Sequence, residues 1–222
     1  MNYSIIVSDR PGTRAKIYQA ALRLFAERGE DEIAISELAE AAGVARGTIY
    51  NNIENPNDLL NVIASASAQE MIARIDATNR GIDDPAARLA IGLRLFVRRA
   101  HDEPHWGRFI IRYALSQSAL QGMMDGPPAR DIARAIEISR FKIDSTKLNA
   151  LVSMLVGAVL ASMHAVVSGH QTWRDAGSDA AELILRAGGI SPAEARRLAR
   201  VELPPLASAP TKMPSLTEGK RN

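Results

Sequence analysis

The chain has 222 residues, of which 46% are hydrophobic, and its formal net charge is +2. This length suits one or two domains with a buried core, and the absence of cysteine excludes a disulfide framework and a thiolate metal site. The net charge does not by itself indicate nucleic-acid binding, because residues 1–53 hold six basic and seven acidic side chains. Affinity for DNA would therefore depend on where the charges lie.

The first helix is predicted to follow an N-terminal arm, residues 1–11, that shows no hydrophobic period. Thr13 can cap this helix and Gly29 ends it. Apolar residues at helical spacing form its buried stripe: Ile17, Ala20, Ala21, Leu24 and Phe25. Arg14 and Lys16, near its start, either reach a phosphate backbone or lie on a solvated face, and the pattern does not separate these two interpretations.

Two short helices joined through a glycine are predicted within residues 35–53. Gly43 can adopt the positive φ that ends the first of them, and the second directs Ile49 and Ile53 inward. The other face of the second helix suits a major groove, where an arginine binds guanine and an asparagine binds adenine. An αα corner whose polar face only meets water is the alternative. The predicted DNA-binding residues are Ser36, Ala45, Arg46, Gly47, Thr48, Tyr50, Asn51 and Asn52.

The run AxxAGVxxGTxY, residues 39–50, is more specific than two helices around a glycine. Together with TRAKIYQAALRLFAERG, residues 13–29, it resembles the DNA-binding head of the TetR family of bacterial repressors. The resemblance implies a three-helix N-terminal DNA-binding domain with a helix-turn-helix, residues 1–55. A larger helical domain for ligand binding and dimerisation is expected to follow, residues 56–203. Residues 204–222, rich in proline and small polar residues, are predicted to form a disordered tail.

The sequence departs from the family pattern at several positions. Relatives usually have an aromatic residue where this chain has Glu30. They carry Thr or Ser as the cap of helix 2, where this chain has Ala34, so the cap and its phosphate contact are expected to shift to Ser36. The usual Phe-Pro-Ser-Lys after the recognition helix reads Ile-Glu-Asn-Pro here, which aligns Pro56 with the phosphate-binding lysine. One or two contacts to the DNA backbone are therefore expected to differ.

Helical periodicity continues through the second predicted domain and no convincing alternating strand appears, so the predicted fold class is all-α. Helix 4 is expected over residues 56–80, and Asp84 with Pro85 is expected to begin the next helix. Ser191 and Glu194 are expected to form a capping box at the start of the last one. The other helices are expected around residues 104–117, 129–140, 146–169 and 178–187.

Residues 148–173 contain no Asp, Glu, Lys or Arg and are long enough to suggest a membrane span. Their Asn, Ser and His side chains, and the lack of a second such stretch, favour a soluble helix, so no membrane is predicted. Small residues recur at every fourth position and would let two backbones approach closely. The resemblance implies a homodimer built as a four-helix bundle. The predicted interface residues are Ser153, Gly157, Ala161, Ala165 and Leu183.

A ligand pocket is predicted from aromatic and methionine side chains, which together offer a large apolar surface with a few polar tips. The candidates are Phe96, Trp106, Phe109, Tyr113, Met123, Met154, Leu155 and Val159. The same residues would also suit an ordinary core. The resemblance favours an unknown apolar or aromatic small molecule as the effector. Arg112 could pair with an acidic ligand or lie in solvent.

Residues 101–105, HDEPH, hold four potential metal ligands that cannot all converge, so no metal is predicted. The sequence contains no GxSxG elbow, P-loop or HExxH motif. No catalytic residue, cofactor or enzyme activity is therefore predicted. The N-terminus lacks the pattern of a signal segment, which predicts a cytoplasmic location.

The resemblance implies a homodimeric repressor that binds double-stranded DNA and is released by a small effector. A two-fold dimer presents two recognition helices to major grooves about one turn, ~34 Å, apart, so the operator is predicted to be an inverted repeat. An effector that binds the two states of the larger domain with different affinity would move the heads out of register. Two alternatives remain: a helix-turn-helix regulator without a small-molecule effector, and a helical enzyme or carrier that does not bind DNA.

Overall fold

The computed structural model describes residues 11–28, 34–52, 59–113 and 126–208. All regular structure within these ranges is helical, which confirms the all-α prediction. A short 3₁₀ turn, Ser145–Lys147, precedes the longest helix of the second half of the chain. The α-helices are α1 Pro11–Arg28, α2 Ile35–Ala42, α3 Arg46–Asn52, α4 Leu59–Thr78, α5 Pro85–Asp102, α6 Pro104–Tyr113, α7 Pro127–Glu137, α8 Leu148–Val167, α9 Trp173–Ala187 and α10 Pro192–Arg200.

Helices α1 to α3 form the helix-turn-helix unit. α1 packs on α2 through its buried apolar stripe, and α2 packs on α3, whose Ile49 is fully buried. Gly43 has φ 64° and ψ 40°, the left-handed conformation predicted for the turn. The Gly43 N–H donates to Glu40 O, and the Val44 N–H donates to Ala39 O at 2.9 Å. The carbonyls at the end of α2 are therefore satisfied by a glycine-centred C-cap.

The predicted N-caps of α1 and α2 are wrong. Ala34 occupies the N-cap position of α2, and its methyl side chain has no acceptor to offer the helix. Ser36 is the second residue of α2 and therefore does not cap it, since a capping residue must precede the first helical residue. Thr13 lies inside α1 because that helix already begins at Pro11, whose fixed φ suits the first turn.

The chain divides into two compact units. The described residues up to Ile63 belong to the first unit, and those from Ala64 onward belong to the second. α4 begins in the first unit and ends in the second. The boundary predicted between residues 55 and 56 falls in residues 53–58, which lie outside the described residues.

Helix α5 organises the second unit. It contacts α6, α7, α8, α9 and α10, and buries apolar side chains on several sides. Asp84 is its N-cap, with the carboxylate accepting from the Ala86 N–H at 3.0 Å, and Pro85 is its first residue. The predicted start of this helix is therefore confirmed. α8 packs on α5, α6, α7 and α9, so α5 and α8 each contact most of the other helices of the unit.

The predicted disordered tail is corrected at its first residues. Residues 201–208 have no helix or strand, yet their backbone is hydrogen-bonded to α4 and α5. Arg74 Nε donates to Ala207 O at 2.7 Å, and the Ala207 N–H donates to Thr78 Oγ1 at 2.9 Å. Arg94 Nη1 donates to Val201 O at 2.7 Å. Composition could not show these partners, because they lie more than a hundred residues earlier in the chain. Residues 209–222 lie outside the described residues.

Arg140 joins the start of α5 to the start of α10. Its Nη2 donates to Asp84 Oδ2 at 2.8 Å and to Glu194 Oε1 at 2.9 Å. Ser191 Oγ accepts from the Glu194 N–H at 3.4 Å, which is one half of the predicted capping box. The other half is replaced, since both oxygens of Glu194 accept from arginines, Arg140 and Arg197.

We expect the contribution of Arg140 to stability to disappear in acid. Burial alone raises the pKa of Asp84, but hydrogen bonds from Arg140 and from a backbone N–H hold that pKa below its usual value. Hydrogen bonds from Arg197 and Arg140 lower the pKa of Glu194 to about 2. Because both folded-state pKa values are depressed, this stability is present above about pH 4.5 and is lost as the pH falls toward about 2.

The test is urea unfolding of wild type and Arg140→Met at about pH 7 and about pH 2.5. The substitution should lower the unfolding midpoint at the higher pH, and the gap between the two proteins should narrow in acid. Arg134→Met serves as the control, because Arg134 pairs with Glu137 on an exposed surface of α7. If wild type and Arg140→Met differ in unfolding midpoint by the same amount at both pH values, the stabilisation does not come from the ion pairs of Arg140 with Asp84 and Glu194.

Candidate nucleic-acid interface and effector cavity

The predicted DNA-binding residues lie on and beside α3. Ile49 anchors the helix in the core, while the side chain of the next residue, Tyr50, is 57% exposed. Arg46, Gly47 and Asn51 of α3 are also exposed, as is Ala45 just before it. Thr48 is half-buried on α3, and Ser36 is half-buried on α2. Asn52 is the last residue of α3, and the structure describes its backbone only. DNA contact by these residues stays a prediction.

No described neighbour of Gly47 requires a glycine at this position. A Cβ built at this position would meet no atom of the described residues within 4 Å, and the backbone lies in an ordinary helix. A helical glycine costs about 1 kcal/mol relative to alanine. Among the described residues nothing packs against this position, so the glycine leaves the backbone of α3 open to close approach.

A cavity of about 80 Å³ lies in the second unit, among α4, α5, α6, α7 and α8. Most of the residues that line it are apolar. Phe96, Leu155 and Val159, three of the predicted ligand-binding residues, are in its wall. α4 contributes Ile72 and Ile75, neither of which was predicted to bind a ligand.

The other predicted ligand-binding residues lie elsewhere. Trp106 and Phe109 are buried in the core and do not line the cavity; the Trp106 ring lies 5.9 Å from that of Phe96. Tyr113 stacks on Phe109 at 5.0 Å, and it too is absent from the wall. Met154 is 53% exposed and is removed from the candidate pocket, because it lies on the outer face of α8. Met123 lies outside the described residues.

Four polar residues of the wall form one hydrogen-bonded group, here called the polar cluster: Asp76, Asn79, Arg88 and Asp131. Arg88 Nε donates to Asp131 Oδ1 at 2.8 Å, and its Nη2 donates to Asp76 Oδ1 at 2.9 Å. Arg88 Nη1 donates to Asn79 O at 3.1 Å, and Asn79 Nδ2 donates to Arg88 O at 3.2 Å. Asn79 Oδ1 is buried and accepts no hydrogen bond from the described residues.

The polar cluster carries one more negative than positive charge. Burial raises the pKa of Asp131, while its contact with Arg88 acts in the opposite direction. Burial alone would lower the pKa of Arg88, but its hydrogen bonds to Asp131 and Asp76 raise it above its usual value. Sequence reasoning missed this cluster because its members come from three different parts of the chain and follow no motif.

An uncovered face follows α8 and α9. Ser153, Gly157 and Ala161 are exposed and Ala165 is half-buried, while Leu183 on α9 is 62% exposed. Met154 belongs to this face as well. Within the described ranges, residues Ser145–Val167 are the one helical stretch long and apolar enough to cross a membrane, and a single such helix is weak evidence for a span.

The acidic and histidine run at residues 101–105 carries ion pairs. Asp102 pairs with Arg98 at 3.5 Å, and Glu103 pairs with Arg99 at 3.2 Å. No group of three His, Asp or Glu side chains in the described part of the chain could hold a metal ion.

Two family models match this chain. The model described as bacterial regulatory proteins, tetR family, matches residues 17–60 and contains the helix-turn-helix. The model described as tetracyclin repressor-like, C-terminal domain, matches residues 84–201, which is more than half of the chain.

Similar proteins are named as transcriptional regulators. The HTH-type transcriptional regulator AcrR of Shigella flexneri is 43% identical over 51 residues, which are 23% of this chain and 24% of that protein. TtgR of Pseudomonas putida is 30% identical over 86 residues, 38% of this chain and 41% of that protein. The matched segments thus span less than half of these curated relatives. The crystal structure of RolR with resorcinol is 30% identical, covers 88% of this chain and 96% of RolR, and has a TM-score of 0.66.

Proposed function

Because the chain belongs to the TetR family of bacterial transcriptional regulators, we propose that it is a homodimeric repressor of an inverted-repeat operator, released by a small apolar or aromatic effector. Both family matches confirm the family predicted from residues 39–50 and 13–29. The chain is accordingly a helix-turn-helix transcriptional regulator. What we propose is its operator, its dimeric assembly and its effector. A cytoplasmic location follows if its target is the bacterial chromosome.

The observation that carries the proposal is the outer face of α3. A large aromatic side chain, Tyr50, is exposed on a helix that Ile49 anchors in the core. Arg46 and Asn51 are exposed beside it, and Gly47 leaves the backbone accessible. This face offers a guanidinium and an amide to base edges and a hydroxyl to phosphates, the groups with which proteins read a major groove.

The uncovered face of α8 and α9 supports a dimer. In the described ranges, large apolar side chains are exposed at five positions: Tyr50, Ile138, Met154, Leu183 and Val201. Two of them, Met154 and Leu183, lie on α8 and α9 beside the small residues that let helices approach closely. A second copy would bury both, and would set two α3 helices at a two-fold operator.

The cavity supports a small effector. It is lined mostly by apolar side chains and has a few polar groups, as small-molecule sites usually do. RolR, similar over most of this chain, has been solved with resorcinol, a small aromatic compound. α4 lines the cavity with Ile72, Ile75 and Asp76, and it begins in the helix-turn-helix unit. An effector that favours one position of α4 would thus change operator affinity. No observation favours the enzyme or carrier alternative, or a regulator without an effector.

The proposal is tested by binding of the purified protein to its own upstream DNA at about 50 mM and about 200 mM salt. The wild type should footprint an inverted repeat, and the double variant Arg46→Ala/Tyr50→Ala should bind at least about 100-fold more weakly, because each base or phosphate contact contributes about 1–3 kcal/mol. Arg134→Ala/Ile138→Ala is the matched control, since it removes an exposed arginine of α7 and the exposed apolar side chain that follows the helix. If all three proteins bind weakly and lose that binding equally at the higher salt concentration, the protein does not act as a repressor at the DNA fragments tested.

A further inference from the structure

We propose that the cavity selects a neutral single-ring compound that bears a hydroxyl group, a phenol or a cyclic alcohol, and rejects both carboxylates and rings without a donor. The inference rests on the proposed function for the effector role of the cavity and specifies the chemistry of the effector. It is carried by the polar cluster, Asp76, Asn79, Arg88 and Asp131, and by the apolar remainder of the wall.

All polar residues of the cavity wall belong to the polar cluster and are hydrogen-bonded to one another. Asp76, Arg88 and Asp131 are joined by the two donor groups of one guanidinium, and Asn79 exchanges hydrogen bonds with the backbone and side chain of Arg88. The remaining wall is made of aliphatic side chains, two prolines, a glycine and Phe96. A ligand can therefore place a polar atom at the cluster and must present apolar surface everywhere else.

Asn79 supplies an unmet acceptor. The residue is 2% exposed, and its Oδ1 accepts no hydrogen bond from the described residues. The orientation of the amide is determined by its partner, because Nδ2 donates to the carbonyl of Arg88 and an exchanged amide would set two oxygens against each other. A buried acceptor without a partner is costly. Because this oxygen is closed to solvent, a ligand O–H group reaches it when a neighbouring side chain moves, and the new hydrogen bond then offsets that cost.

The charges of the cluster disfavour an anionic ligand. Arg88 already faces Asp131 at 2.8 Å and Asp76 at 2.9 Å, so its positive charge is compensated. A ligand carboxylate would add a third negative charge in a largely apolar site. A hydroxyl group avoids this: it can donate to an oxygen of Asn79 or Asp131 and accept from an N–H of Arg88 that has no acceptor among the contacts above.

The volume of the cavity suits one ring. A buried water needs about 10–15 Å³ of comparable volume, so the 80 Å³ of this cavity corresponds to roughly five to eight water-sized positions. A benzene or cyclohexane ring with one substituent has about this number of heavy atoms. The cavity wall includes Phe96, whose ring can pack against a ligand ring.

The test is isothermal titration calorimetry of the full chain, without DNA, with phenol, toluene and benzoate as matched probes. Toluene has the shape of phenol but no donor, and benzoate carries the charge that the cluster should reject. Phenol should bind at least about tenfold more tightly than either, the difference expected for one buried hydrogen bond to a polar group. Toluene or benzoate binding as tightly as phenol would overturn the inference, as would the absence of heat from all three near their solubility limits.

A variant pair separates the charge of the cluster from general stability. Asp131→Asn keeps the shape of the side chain and removes one negative charge, so benzoate should bind at least about tenfold more tightly than to wild type. Glu137→Gln removes the same charge from the exposed side of the same helix and should leave all three probes unchanged. Equal behaviour of the two variants would refute the role of Asp131. If Asp131→Asn does not fold, the ranking of probes on wild type decides.

The outcomes also separate this inference from the proposed function. A protein that binds its operator but does not prefer phenol remains a regulator and loses the assigned effector class. A protein that prefers phenol but binds no operator retains the ligand assignment and loses the repressor role.

Discussion

Replacing Glu70 by leucine is expected to cost about 3–5 kcal/mol of unfolding free energy, because it leaves a buried guanidinium without its principal partner. Glu70 and Arg99 are each only 8% exposed, and Arg99 Nη1 donates to Glu70 Oε2. The guanidinium also lies 4.3 Å from the centre of the Trp106 ring. This pair joins α4 to α5 and α6 in the middle of the second unit.

The environment of Arg99 explains why the loss should be large. Burial alone lowers the pKa of Arg99, and the nearby Glu70 carboxylate, together with Glu103, raises it above its usual value. Glu103 is half-exposed and would compensate the charge only in part after Glu70 is removed. Arg74, at 3.0 Å from Glu70 Oε1, would lose that ion pair as well and keep its hydrogen bond to Ala207 O.

Urea unfolding of Glu70→Leu, Arg99→Met and the double variant measures the effect. The double variant should recover much of the loss, because buried ion pairs can often be replaced by apolar side chains of similar volume at little cost. Asp102→Asn breaks the exposed pair with Arg98 on the same helix and should change the unfolding free energy by less than about 1 kcal/mol. If Glu70→Leu lowers the unfolding free energy by no more than this control does, the Glu70–Arg99 pair contributes little to stability.

Replacing Leu183 by glutamate is expected to produce a monomer whose operator affinity is at least about 100-fold lower. Leu183 is 62% exposed, so the substitution should be tolerated by the isolated subunit. In the proposed dimer it would bury two carboxylates against the apolar face of α8 and α9, which is strongly unfavourable. A monomer engages one half-site at a time and loses the effective concentration that links two heads, typically worth 10²–10⁴ in affinity.

Analytical ultracentrifugation and footprinting on the same samples provide the measurement. Ile138→Glu is the matched control, because it places the same charge on another exposed apolar residue outside α8 and α9. The control should remain dimeric and bind the operator as wild type does. If the Leu183→Glu variant remains dimeric, the interface lies elsewhere than at Leu183. If the variant is monomeric but binds the operator as tightly as wild type, operator binding does not require a dimer.

The family and the recognition helix were predictable because their signals are local. Gly43 adopts the positive φ that its position before Val44 indicates. Asp84 and Pro85 begin α5 because a side-chain acceptor and a fixed φ act within two residues. Ile49 is buried and Tyr50 exposed because helical period sets their directions. Two predicted N-caps were wrong: Thr13 because α1 begins earlier, at Pro11, and Ser36 because it lies inside α2.

The effector cavity was predictable only in part. Phe96, Leu155 and Val159 line it, since the period of α5 and α8 turns them toward the interior. The same period cannot distinguish a side chain that packs in solid core, such as Trp106, from one beside a void. The helical period also could not show that the C-terminal half of α4 lines the cavity.

The sequence by itself determined the all-α class, the helix-turn-helix and the family, because capping, glycine conformation and periodicity act over a few residues. Only the tertiary structure decided the polar cluster, in which Arg88 meets Asp131 across 43 positions of the chain. It also decided the position of residues 201–208, where Ala207 pairs with Thr78 across 129 positions. Such partners are selected by how whole helices pack around a shared core, and no local preference of either residue specifies the other.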